Sequence, residues 1–151
     1  MVIPSKSLEY KAGLIKVKLL REVYVSQFKD DRGHLNVFEF SEDNYFEVKR
    51  FYYIKNVPLG ESRGSHAHKE LKQIFFALAG SFVLEVTDGE QIEKVHIKSE
   101  SCGYSISEGL WRELKDFTED AICLVMASKE YVSSDYLHSY QEFLEFKNAK
   151  R

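Results

Sequence analysis

Residues 60–80 read GESRGSHAHKELKQIFFALAG, and this stretch decides the fold class. Five residues separate Gly60 from His66, one separates His66 from His68, four separate His68 from Gln73, and six separate Gln73 from Gly80. Side chains two positions apart on a β-strand point to the same side, so the two histidines share one face. Gln73 opens an apolar run with the length of a buried strand, from which its amide would face the histidines. The pattern therefore predicts three polar side chains that converge inside a β-structure.

On both sides of this stretch, short runs of β-forming residues alternate with turn signals. The clearest pair is Phe82–Thr87 and Gln91–Ile97, because the Asp88-Gly89 step between them supplies the positive φ angles of a tight hairpin turn. Further strands are predicted at residues 17–26, 34–40, 48–55, 103–107, 111–114 and 121–127. Apolar residues between positions 135 and 147 instead follow one helix face, with Ser133 or Ser134 as the cap. Together these elements predict an all-β jelly roll with a C-terminal α-helix.

Length and composition restrict the class of protein. A chain of 151 residues suits one domain over residues 1–151, in which residues 1–16 are predicted to be an extension or an edge strand. The net charge of −3 argues against a nucleic-acid partner, and no apolar run is long enough to span a bilayer. Because the first residues lack an apolar signal core, we expect a cytoplasmic protein. Cys102 and Cys123 have no zinc-binding spacing and are expected to be reduced and buried.

The spacing of residues 60–80 resembles the first conserved motif of the cupin superfamily, whose barrel is a double-stranded β-helix. In metal-binding cupins, two histidines and a glutamate of this motif hold a divalent ion together with a histidine of a second motif. Here Gln73 stands at the glutamate position and Arg112 at the position of the second-motif histidine. A neutral amide is a poor ligand, and a guanidinium cannot ligate because it stays protonated. The resemblance therefore predicts a cupin barrel without a catalytic metal.

Further motifs resemble a smaller group within the cupins, the nucleotide-sugar 3,4-ketoisomerases. The residues that carry this resemblance are Asp31-Arg32-Gly33, Lys49-Arg50, Tyr52-Tyr53-Ile54, Arg63 to Lys69, Gln73, Asp88-Gly89, Leu110-Trp111, Phe117 and Asp135-Tyr136. The resemblance implies an enzyme that moves the ketone of dTDP-4-keto-6-deoxy-D-glucose from C4 to C3 without a metal or redox cofactor. It also implies a homodimer with exchanged N-terminal strands. An aminotransferase would then make a 3-amino-3,6-dideoxyhexose for surface glycans such as O-antigen or the S-layer.

The resemblance, together with carbonyl chemistry, suggests roles for the inward-facing side chains. The C3 hydrogen of a 4-keto sugar is acidic because the adjacent carbonyl takes the charge as an enolate, and histidine suits its removal. We expect His66 to be the base, and His68 to move protons between O3 and O4 or to orient His66. Tyr52 or Tyr53 would donate to a developing oxyanion; we assign Tyr52 to catalysis and Tyr53 to substrate binding. Gln73 would hydrogen-bond a ring or keto oxygen.

Cationic side chains near this motif are candidates for the two phosphates of a dTDP-sugar. Arg50, Arg63 and Lys69 are the natural partners, because guanidinium forks match phosphate oxygens and an ammonium supplies a point charge. Aromatic side chains near the mouth of the barrel would stack on thymine, but the sequence does not indicate which ones.

Arg32 and Arg112 bear on the configuration of the product at C4. In the family, members that form the galacto product tend to have arginine and histidine at these two positions, and members that form the gluco product tend to have tyrosine and arginine. This chain has arginine at both. Because Arg112 effectively never deprotonates, it cannot deliver a proton to the far face of C4, and His66 would return the proton to the face it came from. We therefore favour the gluco product and assign both arginines to substrate binding.

Three other functions compete with this prediction. A 4-keto sugar epimerase of the related β-helix type would use a histidine paired with a carboxylate and an opposed tyrosine. The sequence offers no evident His–Asp pair, although one could form at a distance. A cupin that has lost its metal ligands can also be a sugar-nucleotide-binding module without activity. A metal-dependent cupin, such as a dioxygenase, is disfavoured by Gln73 and Arg112.

Overall fold

The computed structural model describes residues 17–40, 46–100 and 102–151, and the predicted extension at residues 1–16 lies outside these ranges. The described residues form twelve β-strands and one α-helix, numbered here in chain order. The strands are β1 (Arg21–Val23), β2 (Ser26–Asp30), β3 (Gly33–Val37), β4 (Arg50–Lys55), β5 (Arg63–His68), β6 (Gln73–Ala79), β7 (Ser81–Thr87), β8 (Ile92–Lys98), β9 (Gly103–Ile106), β10 (Trp111–Lys115), β11 (Ile122–Ala127) and β12 (Tyr136–Leu137). The helix α1 spans Tyr140–Ala149.

Two antiparallel five-stranded sheets enclose the core. The strand order is β1-β9-β6-β11-β4 in the first sheet and β12-β5-β10-β7-β8 in the second. Strands far apart in sequence pair directly, for example β6 with β11 and β5 with β10, as in a jelly roll. Apolar side chains from both sheets pack between them, including Phe75, Phe82, Leu84, Val86, Leu114 and Val125. The predicted fold, a cupin-type double-stranded β-helix with a C-terminal helix, is confirmed.

The predicted hairpin of β7 and β8 is also confirmed, although its turn spans residues 88–91 and, of Asp88 and Gly89, Gly89 alone has a positive φ. Strands β7 and β8 pair from Ser81 opposite Lys98 to Thr87 opposite Ile92. Gly89 adopts φ = +98°, a conformation that favours glycine. The Asp88 carboxylate accepts hydrogen bonds from the backbone N–H groups of Glu90 and Gln91, which closes the turn.

The C-terminal helix begins later than its apolar pattern predicts. It starts at Tyr140 and is capped by Ser139, whose hydroxyl accepts a hydrogen bond from the backbone N–H of Glu142. The Glu142 carboxylate accepts in return from the N–H of Ser139, which completes a capping box. The predicted caps Ser133 and Ser134 are therefore wrong, as is the predicted start at residue 135.

The segment before the helix belongs to the sheet instead. Residues 133–135 form a 3₁₀ turn, and Tyr136–Leu137 form β12, which pairs with His68 and Ala67 at the edge of β5. Two residues are too few for a strand pattern to be recognised, and the open edge of β5 captures them through backbone hydrogen bonds. The pairing of β12 with β5 places residues 135–138 next to the histidine motif.

The remaining hairpin, β2–β3, forms its own two-stranded sheet, with Phe28 and Leu35 exposed. Within the described residues, Cys102 and Cys123 form no disulfide; Cys123 is buried as predicted, whereas Cys102 is half-buried. In the described part of the chain, no helix has the length and apolar character to cross a membrane.

Candidate active site

The strand β5 presents its two histidines to the barrel interior through a bulge just before them. Opposite β10, Arg112 pairs with His66 and Glu113 pairs with Gly64, so Ser65 has no partner in the ladder. Gly64 and Ser65 have φ of +89° and +53°, a region that glycine adopts more readily than serine. A Cβ atom at Gly64 would lie 3.0 Å from the Arg112 carbonyl oxygen. The bulge therefore requires glycine at position 64 and places its carbonyl beside the His66 ring.

The two imidazole rings contact each other edge to face. Their Nε2 atoms are 3.1 Å apart and their centroids 4.9 Å apart. The His66 Nδ1 lies 3.0 Å from the Gly64 carbonyl oxygen, and the His68 Nδ1 lies 2.9 Å from the Asp135 carboxylate. Burial and the positive charge of Arg112 lower the pKa of His66 to about 4 and the pKa of His68 to about 2. The surroundings thus resist a full positive charge on either ring alone, which keeps a basic nitrogen available near neutral pH.

Arg112 lies buried beneath the histidines. Its Nη1 donates to the Gln73 side-chain oxygen at 2.7 Å, and its Nη2 donates to the Leu110 carbonyl oxygen at 2.9 Å. Burial lowers the pKa of Arg112 to about 10, which still leaves it protonated at neutral pH. Among the described residues it forms no ion pair with a carboxylate. A buried cation without an anionic partner favours negative charge that develops on a bound ligand.

Tyr52 extends this network from β4. Its hydroxyl oxygen accepts a hydrogen bond from the Gln73 side-chain nitrogen at 2.9 Å, which leaves its own proton for another acceptor. Burial raises the pKa of Tyr52, so the hydroxyl stays protonated. Tyr52 is therefore placed to donate to an oxygen of a ligand.

Aromatic side chains form the rim of the site. The Tyr136 ring packs against both imidazoles, tilted to His66 and edge-on to His68, with its centroid 5.2 Å from that of His66 and 4.2 Å from that of His68. Tyr131 lies 5.6 Å from Tyr136. The Arg50 guanidinium is 5.8 Å from the Tyr131 ring. The rim thus offers stacking surfaces next to a cation.

The structure brings most of the sequence-predicted residues into one neighbourhood. These are His66, His68, Tyr52, Gln73 and Arg112 inside the barrel, and Arg50 and Lys69 at the rim. Lys69 is held next to the site because its backbone N–H donates to the Asp135 carbonyl oxygen at 2.9 Å, and its side chain lines a cleft with Lys129.

Three predicted substrate contacts are not brought to the histidines within the described chain. Tyr53 follows Tyr52 on β4 and is 58% exposed, because successive side chains of a strand point to opposite faces. Arg63 begins β5 and lines a surface cleft with Tyr53. Arg32 lies at the exposed turn of the β2–β3 hairpin, where its backbone N–H and guanidinium donate to Asp30.

Sequence reasoning gave no role to Asp135 and Tyr136. The His–Asp pair that is not evident in the sequence does form, between His68 and a carboxylate 67 positions later. The Asp135-Tyr136 dipeptide was part of the family resemblance, but the apolar pattern placed it inside the helix. Only its pairing as β12 brings it against β5.

The donor groups of the site are engaged with one another. The two imidazoles share a contact, and the Gln73 amide is bonded to Arg112 and Tyr52. Across residues 17–40, 46–100 and 102–151, no group of three or more His, Cys, Asp or Glu side chains is arranged to hold a metal ion. The imidazole pair and the Tyr52 hydroxyl are themselves groups that can accept and donate protons.

Comparisons with known proteins point to one family. Residues 16–148 match the family model described as FdtA: WxcM-like, C-terminal. The TDP-4-oxo-6-deoxy-alpha-D-glucose-3,4-oxoisomerase of Aneurinibacillus thermoaerophilus is 35% identical over 117 residues, which are 78% of this chain and 84% of that protein.

Solved structures of similar proteins cover most of the chain. A histidine-to-asparagine mutant of the 3,4-ketoisomerase QdtA from Thermoanaerobacterium thermosaccharolyticum, in complex with TDP-4-keto-6-deoxyglucose, superposes with a TM-score of 0.83 and 30% identity. That alignment covers 89% of this chain and 97% of the other. The TDP-quinovose 3,4-ketoisomerase WlaRB from Campylobacter jejuni superposes with a TM-score of 0.78 and 35% identity, over 85% of this chain and 99% of the other.

Proposed function

The chain belongs to the FdtA: WxcM-like, C-terminal family and is an isomerase, and on that premise we propose that it converts dTDP-4-keto-6-deoxy-D-glucose to a dTDP-3-keto-6-deoxyhexose through an enediol. The observation that carries this proposal is the histidine pair inside the barrel, with the Nε2 atoms 3.1 Å apart. Moving a ketone to the neighbouring carbon requires a base and an acid that both lie within hydrogen-bond reach of the two adjacent sugar positions, because a proton leaves C3 as another reaches O4.

The residues divide the proton transfers between them. The C3–H bond breaks, its proton moves to the Nε2 of His66, and its electron pair forms the C3=C4 double bond while O4 takes a proton from His68 or Tyr52. In the second half, O3 releases its proton to His68 or Tyr52, the C3=O bond forms, and His66 returns its proton to C4. Protons and electrons balance, so the reaction needs no oxidant or reductant. The buried charge of Arg112 lowers the energy of the negative oxygen at the transition state.

The gluco configuration at C4 is the favoured product. Arg112 is held by Gln73 and by Leu110, and it keeps its proton at neutral pH, so it is a poor proton donor to the far face of C4. Return of the proton by His66 to the face it came from gives dTDP-3-keto-6-deoxyglucose. The similarity to a TDP-quinovose 3,4-ketoisomerase supports this preference, since quinovose is 6-deoxyglucose.

The rim residues would bind the nucleotide. Arg50 and Lys69 are assigned to the diphosphate, because both lie beside the site and carry the charge that phosphate oxygens require. Tyr131 and Tyr136 are assigned to the thymine ring, because they offer exposed or half-exposed aromatic faces next to Arg50.

A homodimer with exchanged N-terminal strands would complete the site with Arg32, Tyr53 or Arg63. In its support, large apolar side chains stay exposed on the outer face of the first sheet and on the β2–β3 hairpin: Phe51, Tyr53, Leu78, Phe28 and Leu35. Sedimentation of the purified protein checks this assembly. In a cell, we place the enzyme in the cytoplasm before an aminotransferase that converts the 3-keto group to an amine.

A 4-keto sugar epimerase is the second candidate, and one observation favours it. The His68–Asp135 pair with Tyr136 beside it is the combination of base, carboxylate and tyrosine that such an epimerase requires. In that reaction the base would remove a proton next to the ketone and a new proton would reach the opposite face, with the ketone left at C4.

The test is proton NMR of the purified protein with dTDP-4-keto-6-deoxyglucose in heavy water, without added metal. We expect a 3-keto product with deuterium at C4, whose couplings distinguish gluco from galacto. A ketone that stays at C4 while deuterium enters C3 or C5 would indicate the epimerase. A folded protein that binds the nucleotide but catalyses no exchange would be a binding module.

A further inference from the structure

A chain of hydrogen bonds runs through the histidine pair, from the Gly64 carbonyl to the Asp135 carboxylate. At the first end, the His66 Nδ1 lies 3.0 Å from a backbone carbonyl oxygen, which can only accept a hydrogen bond. The His66 Nδ1 must therefore carry a proton. The bulge at Gly64 and Ser65 sets this protonation, because it aims the carbonyl at a ring two residues further along the strand.

At the other end, Asp135 is held from two sides. One oxygen of the Asp135 carboxylate accepts a hydrogen bond from the backbone N–H of Glu70 at 2.8 Å. The main-chain carbonyl oxygen of Asp135 accepts a hydrogen bond from the backbone N–H of Lys69 at 2.9 Å. The second carboxylate oxygen lies 2.9 Å from the His68 Nδ1. Since a carboxylate oxygen and an imidazole nitrogen approach this closely only through a shared hydrogen, this contact also contains a proton.

The middle contact joins the two Nε2 atoms at 3.1 Å. Two bare nitrogens at that separation would direct their lone pairs at each other, so this contact requires a proton as well. The three contacts need three protons, whereas two neutral imidazoles beside an ionised carboxylate carry two. We propose that the resting His66–His68 pair holds one proton more than two neutral rings, shared between the Nε2 atoms, and that Asp135 is the positioning residue that keeps it there.

The charges around the pair explain why a carboxylate is needed. Arg112 from β10, Arg50 from β4 and His138 after β12 all face the pair, and any positive charge on them opposes an added proton. Tyr136 covers the rings from β12 and supplies no negative charge in its protonated form. The side chain of Asp135 is 12% exposed and cancels the charge of one imidazolium, so the three groups together are neutral.

The consequence for catalysis rests on the proposed function. A pair with one shared proton offers a bare Nε2 and a protonated Nε2 at the same time. One ring can therefore take the proton from C3 while the other donates to O4, and the reverse transfers to C4 and from O3 return the pair to its starting state. Without the extra proton, the first step would leave O4 dependent on Tyr52 alone.

The proton count is measured by nitrogen NMR of the protein labelled with ¹⁵N-histidine and free of substrate. At neutral pH, both Nδ1 atoms should be protonated and the two Nε2 signals should share one proton; His66→Asn and His68→Asn assign the signals. Asp135→Asn keeps the shape but not the charge, so the extra proton should be lost and kcat should fall by ~10²-fold with little change in KM. The matched control, Glu130→Gln, removes a neighbouring exposed carboxylate without a hydrogen bond to either ring and should change neither quantity.

Two ring protons in the unaltered protein, with both Nε2 atoms bare or with the His66 Nδ1 bare, would overturn the inference. So would an Asp135→Asn protein that keeps the proton count of the unaltered one. Because the count needs no substrate, its failure is distinguishable from failure of the proposed function, which the heavy-water assay decides. If Asp135→Asn does not fold, the count in the unaltered protein decides alone.

Discussion

The two ends of the barrel interior are built from the same strands but have opposite chemistry. On β6, Gln73 lies in the polar end and Phe75 in the apolar end; on β10, Arg112 and Leu114 divide in the same way. Residues two apart share a face, so each strand contributes to both ends without a change of direction. The apolar end stabilises the fold by burial, whereas the polar end places a guanidinium and two imidazoles out of water. The residues that stabilise the fold and the residues of the candidate site therefore occupy different positions along the same strands.

Of the changes considered, replacement of His66 in the polar end should have the largest effect, which is a loss of turnover. His66→Asn removes the base, so we expect turnover to fall by ~10² to 10⁴-fold in the heavy-water assay, with a thermal unfolding midpoint close to the original. The matched control is His96→Asn on β8, since His96 is exposed and its side chain contacts the Ser81 hydroxyl rather than the site. Near-normal turnover of His66→Asn would remove His66 as the base.

Replacement of Leu84 in the apolar end should instead lower the stability of the fold. Leu84 is fully buried in the core, and Leu84→Ala should lower the free energy of unfolding by about 2 to 5 kcal/mol in urea titrations. The turnover per folded molecule should stay near normal, because Leu84 does not contact the histidines. Val83→Ala, one position away and only half-buried, is the control and should cost much less. Equal losses for the two variants would contradict the division of faces along β7.

Replacement of Arg112 tests how the positive charge in the polar end affects the two histidines. Burial is the larger cause of the low pKa of His66 and of His68, and the charge of Arg112 is the second. Arg112→Met removes this cation, so both pKa values should rise in an NMR titration. The loss of stability should be smaller than for Leu84→Ala, because relief from a buried charge offsets the hydrogen bonds lost by Gln73 and Leu110. Unchanged histidine pKa values would show that Arg112 does not act on the pair. Arg151→Met, at an exposed arginine that pairs with Glu90, serves as the control.

The smallest expected effect is a loss of stability in acid, caused by the low pKa of His66 in the polar end. Even with one extra proton shared between the rings, the folded pair resists a second one, because the pKa of His66 is about 4 in the fold against 6.5 ordinarily. The unfolded chain, which can protonate both imidazoles, therefore binds more protons between these values. The free energy of unfolding should therefore fall as the pH is lowered from 6.5 to 4, and it should fall less steeply for His66→Asn. Parallel curves for the two proteins would mean that His66 keeps an ordinary pKa.

Local patterns were sufficient for much of the fold and part of the site. The β7–β8 hairpin and the core strands follow from alternation and from turn residues that act over a few positions. The convergence of His66, His68 and Gln73 follows in the same way, from the period of a strand and a short loop. The helix start was misplaced because Tyr136 and Leu137 continue its apolar spacing, yet the edge of β5 captures them first.

Alternation along the strands, the positions of the turns and the shared face of the two histidines depend on neighbours in the chain, so they can be read from the amino-acid sequence. The inward position of Tyr52 rather than Tyr53 cannot, since the inward phase of β4 depends on its packing in the sheet. Only the tertiary structure paired His68 with Asp135, which lies 67 positions away and approaches through the pairing of β12 with β5. Contacts of that kind depend on strand order and register, which are set by the packing of the whole barrel.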